Sequence, residues 1–469
     1  MYRVSSVAAI LFISTMAIAA PPEMPNIVFI LADDLGSAEV GCYGQKKIRT
    51  PHIDKLAAEG MRFTQFYSGN AVCAPSRCCL MTGKHPGHAI VRDNKAMKPE
   101  GQYPLPAGTT TIGTLLKARG YSTGAMGKWG LGPPASTGDP NNQGIDYFFG
   151  YNCQAQAHNF YPTYLWRNDK KVELEGNTRG LTGKQYSHDL MEKEAMEFLE
   201  RCKDKPFFLY LPFTIPHVAI QVPDDSLEEY RGKFEEIPYK GDKGYLPHPT
   251  PRAAYAGMVT RMDRSVGRVV QKLKDLKLDE NTIVFFSSDN GPTHNVGGAD
   301  STFFESAGKL RGLKGSLYEG GIRTPFIVRW PGQIRPGTIS DLPGAFWDVL
   351  PTMCELTGSE IPKDTDGLSI VPTLLGRDGQ KRHEFLYWEF PGYGGQHAVR
   401  MGDWKGVRQN MNKGRTDIEL YNLKTDPNEE INVASRNPDV VARIERLMKE
   451  QHTASAVFPL KPIDAPAKK

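Results

Sequence analysis

Several apolar runs set the frame of this chain, and two of them end in paired acidic or amide residues. NIVFILADD (26–34) and TIVFFSSDN (282–290) are the clearest, with PFFLYLPF (206–213) and TPFIVRW (324–330) beside them. Continuous apolar runs of this length predict strands buried on both faces of a sheet. Between them, residues 111–120, 189–202 and 254–276 carry helical patterns. Strands alternating with helices predict an α/β fold, a large and mostly parallel sheet flanked by helices. Ligands of such sheets gather beyond the carboxyl ends of the strands, where both DD and DN fall.

The pattern changes after about residue 372. EFLYWEF, HAVRMGDWKGVR and DIELYNL are short strand-like runs separated by glycine and Asn-Lys-Gly turns. A helix follows in NPDVVARIERLMKEQH, with Asn437 as its cap and Pro438 at its first position. The expectation is a larger domain over 20–372 and a small antiparallel sheet with a helix over 373–469. The tail PLKPIDAPAKK is expected to fray. No internal repeat or low-complexity block is visible.

Residues 1–19 read as a cleaved export signal. A basic MYR start precedes an apolar core and a small-residue site at Ala17-Ile18-Ala19. The apolar run is short for a membrane span and stops at PPEMP. The protein is thus expected in the periplasm or outside the cell, with no membrane span. The formal charge of +4 over 469 residues gives a nucleic-acid partner no electrostatic support. Seven cysteines in an oxidising compartment leave at least one unpaired or modified.

Asp33, Asp34, Asp289 and Asn290 offer oxygen donors only. Singly, each pair is equally a strand or helix cap. Two pairs at strand ends predict a hard divalent cation, calcium, with magnesium the alternative.

The stretch CAPSRCCLMTG places Cys73, Pro75, Ser76, Arg77, Thr82 and Gly83 in a pattern that resembles the signature of the type I sulfatases. The resemblance runs through most of residues 25–375 and implies an alkaline-phosphatase-like fold. It implies that a maturation enzyme oxidises Cys73 to formylglycine, whose hydrate is both a metal ligand and the nucleophile. Arg77 would hold that side chain. Lys128 in GKWGLG and Lys314 in GLKGSLYEGGIRTP resemble the sulfate-binding lysines, and His217 in TIPHVA the histidine that protonates the leaving oxygen. In the implied reaction one hydroxyl of the hydrate attacks sulfur and the other loses a proton, so the ester collapses to aldehyde and sulfate. Many members read GKWHLG, with a histidine that serves as base for that collapse; this chain has Gly130. His158, in CQAQAHNFYPTYLW, is the nearest substitute.

Export and a polar-aromatic set of loops suit a sulfated carbohydrate, of galactose or N-acetylgalactosamine type by resemblance. Arg92, His158, Glu389 and His397 are expected to hydrogen-bond sugar hydroxyls, and Tyr161 or Trp388 to face a ring. Two alternatives remain: a phosphate or phosphonate monoester hydrolase of the same superfamily, and a carbohydrate-binding pseudo-enzyme.

Overall fold

Ile27, Phe29 and Leu31 pack into one hydrophobic core, and Val28, Ile30 and Ala32 into a second. Ile283 and Phe285 divide from Val284 and Phe286 in the same way. Successive side chains of a strand point to opposite faces, so a strand covered on both sides must be apolar throughout. The computed structural model describes residues 24–242 and 244–464, so the expected signal at 1–19 lies outside them.

Ten strands form one sheet. In spatial order they are Thr338–Ser340, Met61–Phe63, Phe326–Arg329, Thr282–Ser288, Asn26–Ala32, Phe207–Pro212, Ser122–Lys128, Tyr147–Tyr151, Tyr164–Arg167 and Lys170–Glu173. Only Phe326–Arg329 and Tyr164–Arg167 run against the other eight. Helices Cys73–Thr82 and Val349–Thr357 cover one face, and Ser187–Cys202 and Pro251–Asp275 the other. The two strands that end in acidic pairs are hydrogen-bonded neighbours, with Ala32 opposite Ser288. Their tips therefore present Asp33, Asp34, Asp289 and Asn290 side by side.

The second sheet is antiparallel, built from Leu386–Phe390, Gln396–Met401, Trp404–Arg408 and Glu419–Asn422. One face gives Trp388, Phe390, Ala398 and Val407 to the first core. The other packs Tyr387, Val399 and Leu420 against Ile444 and Met448 of the helix Pro438–Glu450. Lys405 ties this sheet to the short helix Glu319–Ile322, buried between Glu319 at 2.8 Å and Glu429 at 2.9 Å.

Two local expectations need correction. Asn437 precedes the last helix, but its side chain donates to the Val433 carbonyl and makes no capping bond. The tail does not fray through Asp464. Leu460 is fully buried, and the Asp464 carboxylate accepts from the Leu460 amide and meets His452 at 2.8 Å. Residues 465–469 lie outside the described set. All seven cysteines are free thiols, and no described helix is long and apolar enough to cross a membrane.

Candidate active site

Cys73 is the first residue of its helix and 2% exposed. A helix N-terminus gathers unpaired amides and the positive end of the backbone dipole, so the side chain sits where negative charge is favoured. Its Sγ lies 3.5 Å from Asp33 Oδ1 and 3.6 Å from Lys314 Nζ. Burial, followed by the Asp33 carboxylate, pushes the thiol up to about 12. Burial thus favours the neutral thiol, a weaker nucleophile than the thiolate.

Three cations face three carboxylates around it. Arg77, one turn along the helix, holds Asp289 Oδ2 at 2.8 Å and Asp33 Oδ2 at 3.3 Å, and donates to the Lys128 carbonyl. Lys128, last in its strand, pairs with Asp33 Oδ2. Lys314 Nζ holds Asp34 Oδ2 at 2.8 Å. Burial works against both lysine charges, and the neighbouring aspartates, Asp33 for Lys128 and Asp34 for Lys314, outweigh it and raise both. The six formal charges cancel. A divalent cation added to them leaves the pocket positive, which suits a sulfate monoester anion.

Asn290 Nδ2 donates to Asp34 Oδ1 at 2.7 Å, which leaves its carbonyl Oδ1 buried with no hydrogen-bond partner among the described residues. An orphaned hard acceptor beside three aspartates fits a hard cation. Donor atoms of Asp33, Asp34, Cys73 and His217 lie within 4.8 Å of one another. Asp289 is engaged by Arg77 and by the Asp34 amide at 3.1 Å.

His217 faces Asp34 Oδ2 with Nε2 at 3.5 Å, while Nδ1 contacts the Val218 carbonyl. Donation at Nδ1 leaves Nε2 as the unprotonated nitrogen of the neutral ring. Burial, then Lys314 and Lys128, hold its pKa well below the ordinary histidine range. An anion between those lysines would oppose the shift. His158 stacks on the same ring, with centroids 4.8 Å apart and planes at 18°.

These groups open into a cavity of about 280 Å³ lined by Cys73, Lys128, His158, His217 and Lys314. Arg92, Glu389 and His397 are not brought to it. Arg92 Nη1 meets Glu389 Oε1 at 2.6 Å, and Glu389 also accepts from Tyr387 and pairs with His452 at 2.7 Å. His397 lies opposite Glu389 in the second sheet and is buried, as are Tyr161 and Trp388. The segments that carry Arg92 and Glu389 do reach the cavity, through other residues: Asn94 lies two positions after Arg92, and Tyr393 sits at the tip of the hairpin between Phe390 and Gln396. Tyr393 is 59% exposed and in the left-handed region at φ 49°. Its place in a Pro-Gly-Tyr-Gly-Gly turn was the available signal. Gln102, Gln154, Tyr245 and Thr293 also line the wall and had none.

Gly130 explains its own identity. It adopts φ +78°, and a Cβ there would stand 3.1 Å from Gln154 Nε2. That nitrogen is itself buried without a hydrogen-bond partner among the described residues.

Residues 25–359 match the family model described as Sulfatase, and residues 313–455 the one described as N-sulphoglucosamine sulphohydrolase, C-terminal. Human arylsulfatase A is 32% identical over 94% of this chain and 90% of its own length. N-acetylgalactosamine-6-O-sulfatase of Bacteroides thetaiotaomicron is 28% identical over 92% and 94%. The crystal structure of Ps i-CgsB, also solved in complex with k-i-k-neocarrahexaose, is similar at a TM-score of 0.77 and 30% identity, covering 91% of this chain and 92% of that one. This chain's helix-flanked ten-stranded sheet, with the separate four-stranded antiparallel sheet, is the alkaline-phosphatase-like fold. With a family match across most of its length and a relative this similar from end to end, the chain belongs to the sulfatases, the hydrolases of sulfuric esters.

Proposed function

We propose that this chain releases sulfate from sulfated carbohydrates, with Cys73 matured to formylglycine by a separate enzyme. One observation carries the reading: side chain 73, at a helix N-terminus, faces both Asp33 and Lys314 within 3.6 Å. Asp33, Asp34, Asp289 and Asn290 would hold a calcium or magnesium ion. That ion would draw charge from the sulfate oxygens, while the formylglycine hydrate would supply the attacking hydroxyl.

The chain's own groups do the rest. Arg77 fixes Asp289 and Asp33, so the acidic donors stay in register with residue 73. Lys128 and Lys314 neutralise the sulfate oxygens as charge builds on them. Once a sulfate anion between Lys314 and Lys128 offsets their charge, His217 takes up a proton at Nε2 and gives it to the departing oxygen, held in orientation by the contact of Nδ1 with the Val218 carbonyl. His158, stacked on His217, takes the proton released when the second hydroxyl opens the ester, a role Gly130 cannot fill.

The carbohydrate assignment draws on the relatives and on the cavity wall. Asn94, Gln102, Gln154 and Thr293 offer hydrogen bonds, and Tyr245 and Tyr393 offer ring faces. That mixture suits a hydroxylated ring of galactose or N-acetylgalactosamine type. Residues 1–19 would direct export.

A panel of defined sulfated mono- and oligosaccharides, assayed for inorganic sulfate, tests the activity. Peptide mass spectrometry of the active protein should show a loss of about 18 Da at Cys73, a thiol replaced by an aldehyde. Sulfate release by Cys73→Ala, or an intact thiol in fully active protein, would overturn the reading.

A further inference from the structure

A second cavity, of about 580 Å³, opens beside the one that holds Cys73. Val296 lines both. The segment 293–300 is their common wall, with Thr293 and His294 on the Cys73 side and Asn295 and Gly297 to Asp300 on the other. A second segment spans both. It is closed by paired backbone hydrogen bonds between Tyr239 and His248, and it sends Tyr245 into the Cys73 cavity and Tyr239 into its neighbour.

The two tyrosines rest on adjacent glycines. A Cβ at Gly297 would reach within 3.1 Å of the Tyr245 ring, and one at Gly298 within 3.2 Å of Tyr239. Both glycines have positive φ, 63° and 94°, so backbone conformation and close approach each require glycine. This pair seats two half-buried aromatic rings, one in each of the two cavities that meet at Val296.

The chemistry of the second cavity differs from that of the first. Arg252 is held by Asp300 at 2.6 Å and lies over the Phe303 ring at 4.1 Å. Lys240 and Asp242 carry opposite charges. The described lining therefore has no surplus cation for a second sulfate. Tyr239, Pro238, Pro251 and Ile237 offer apolar faces, with polar groups between them. A ring with one C–H face and hydroxyls at its edge satisfies both features.

We propose that this cavity is a subsite for a neutral sugar linked to the sulfated one. The substrate is then an oligosaccharide that crosses Val296, with Tyr245 and Tyr239 along its length. This inference rests on the carbohydrate-sulfatase reading.

The test compares kcat/KM for a sulfated monosaccharide with that for the same sulfated unit carrying one and two neutral sugars. The matured, metal-loaded enzyme should prefer the longer substrates. Tyr239→Ala should reduce the ratio of oligosaccharide to monosaccharide kcat/KM about tenfold, the order expected for a lost ring contact. Tyr239→Phe, which keeps the ring, should retain the ratio. An unchanged ratio in Tyr239→Ala, or no preference for longer substrates in the unaltered enzyme, would overturn the subsite and leave the activity standing. Release from aryl sulfates but from no carbohydrate would instead overturn the carbohydrate reading, and the subsite with it.

Discussion

Lys314 Nζ lies 3.6 Å from Cys73 Sγ while holding Asp34 Oδ2 at 2.8 Å. One ammonium group thus touches both the proposed nucleophile position and a proposed metal ligand, and it lines the cavity any ester must enter.

Replacing that ammonium by an uncharged chain of similar length isolates its electrostatic part. Lys314→Met should lower kcat/KM for sulfate release by about a hundredfold or more, the range seen when one preorganised charge donor is lost. A change of less than about threefold would remove Lys314 from the machinery.

Asn290 Oδ1 predicts a metal requirement. Protein dialysed against a chelator should lose sulfate-releasing activity and recover it with calcium or magnesium. The metal-free protein should also melt at a lower temperature, because a ligand that binds only the folded state stabilises it. Full activity and an unshifted melt in protein shown by elemental analysis to be metal-free would exclude the site.

At position 130 the family histidine should not be tolerated. The left-handed backbone and the Gln154 side chain both oppose Gly130→His, at a cost of about 1–2 kcal/mol from the backbone alone. Urea unfolding should show that loss, with no gain in turnover. His158→Ala should lower kcat more than it raises KM, and a mutation acting only on KM would make His158 a binding residue.

Glu389 should reveal itself as structural. It is fully buried and joins Arg92, Tyr387 and His452, which ties the loop after the Cys73 helix to the second sheet and the tail. Glu389→Gln leaves Arg92 without its charge partner, so about 3 kcal/mol of stability should be lost. Activity per folded molecule should change less than about twofold. Lost KM with unchanged stability would restore Glu389 to the sugar contacts.

His397 makes stability depend on acid. Neither ring nitrogen has a hydrogen-bond partner among the described residues, and burial lowers its pKa to about 3, opposed by Glu389 and aided by Arg408 and His452. The folded state keeps the ring neutral, whereas the unfolded chain takes up a proton below about 6.5. This contribution is complete above that value and is lost as pH falls toward 3, by at most about 1.4 kcal/mol per pH unit. Urea unfolding of His397→Leu between pH 6 and 4 should show a shallower decline than the parent protein.

The strands and the acidic pairs were readable because each obeyed one local rule, whereas Cys73, Arg77, Lys128, His217 and Lys314 were legible only through the family resemblance. Apolar runs buried on two faces must be continuous, and the acidic pairs follow directly where two such runs stop. The wall of the cavity was less so. Glu389 and His397 belong to an apolar-polar stretch that looks like pocket lining, yet as cross-strand partners both face inward, and the hairpin tip carries Tyr393 outward instead. The segment carrying Tyr239 and Tyr245 has no period at all; its described residues take their shape from a backbone bridge, from bonds of both tyrosines to the Asp242 carbonyl and from the two glycines beneath. The tail misled for a related reason. Its one leucine and one aspartate anchor it, and composition alone does not weigh single anchors.

The ten residues from Cys73 to Thr82 are buried without exception. No enzyme can grip that segment once the helix has docked against the sheet. If Cys73 is converted as proposed, the conversion has to precede that docking, in competition with folding. On that reading, a host that folds this protein quickly but matures it slowly would accumulate a stable, well-behaved product that no later treatment can switch on short of unfolding it.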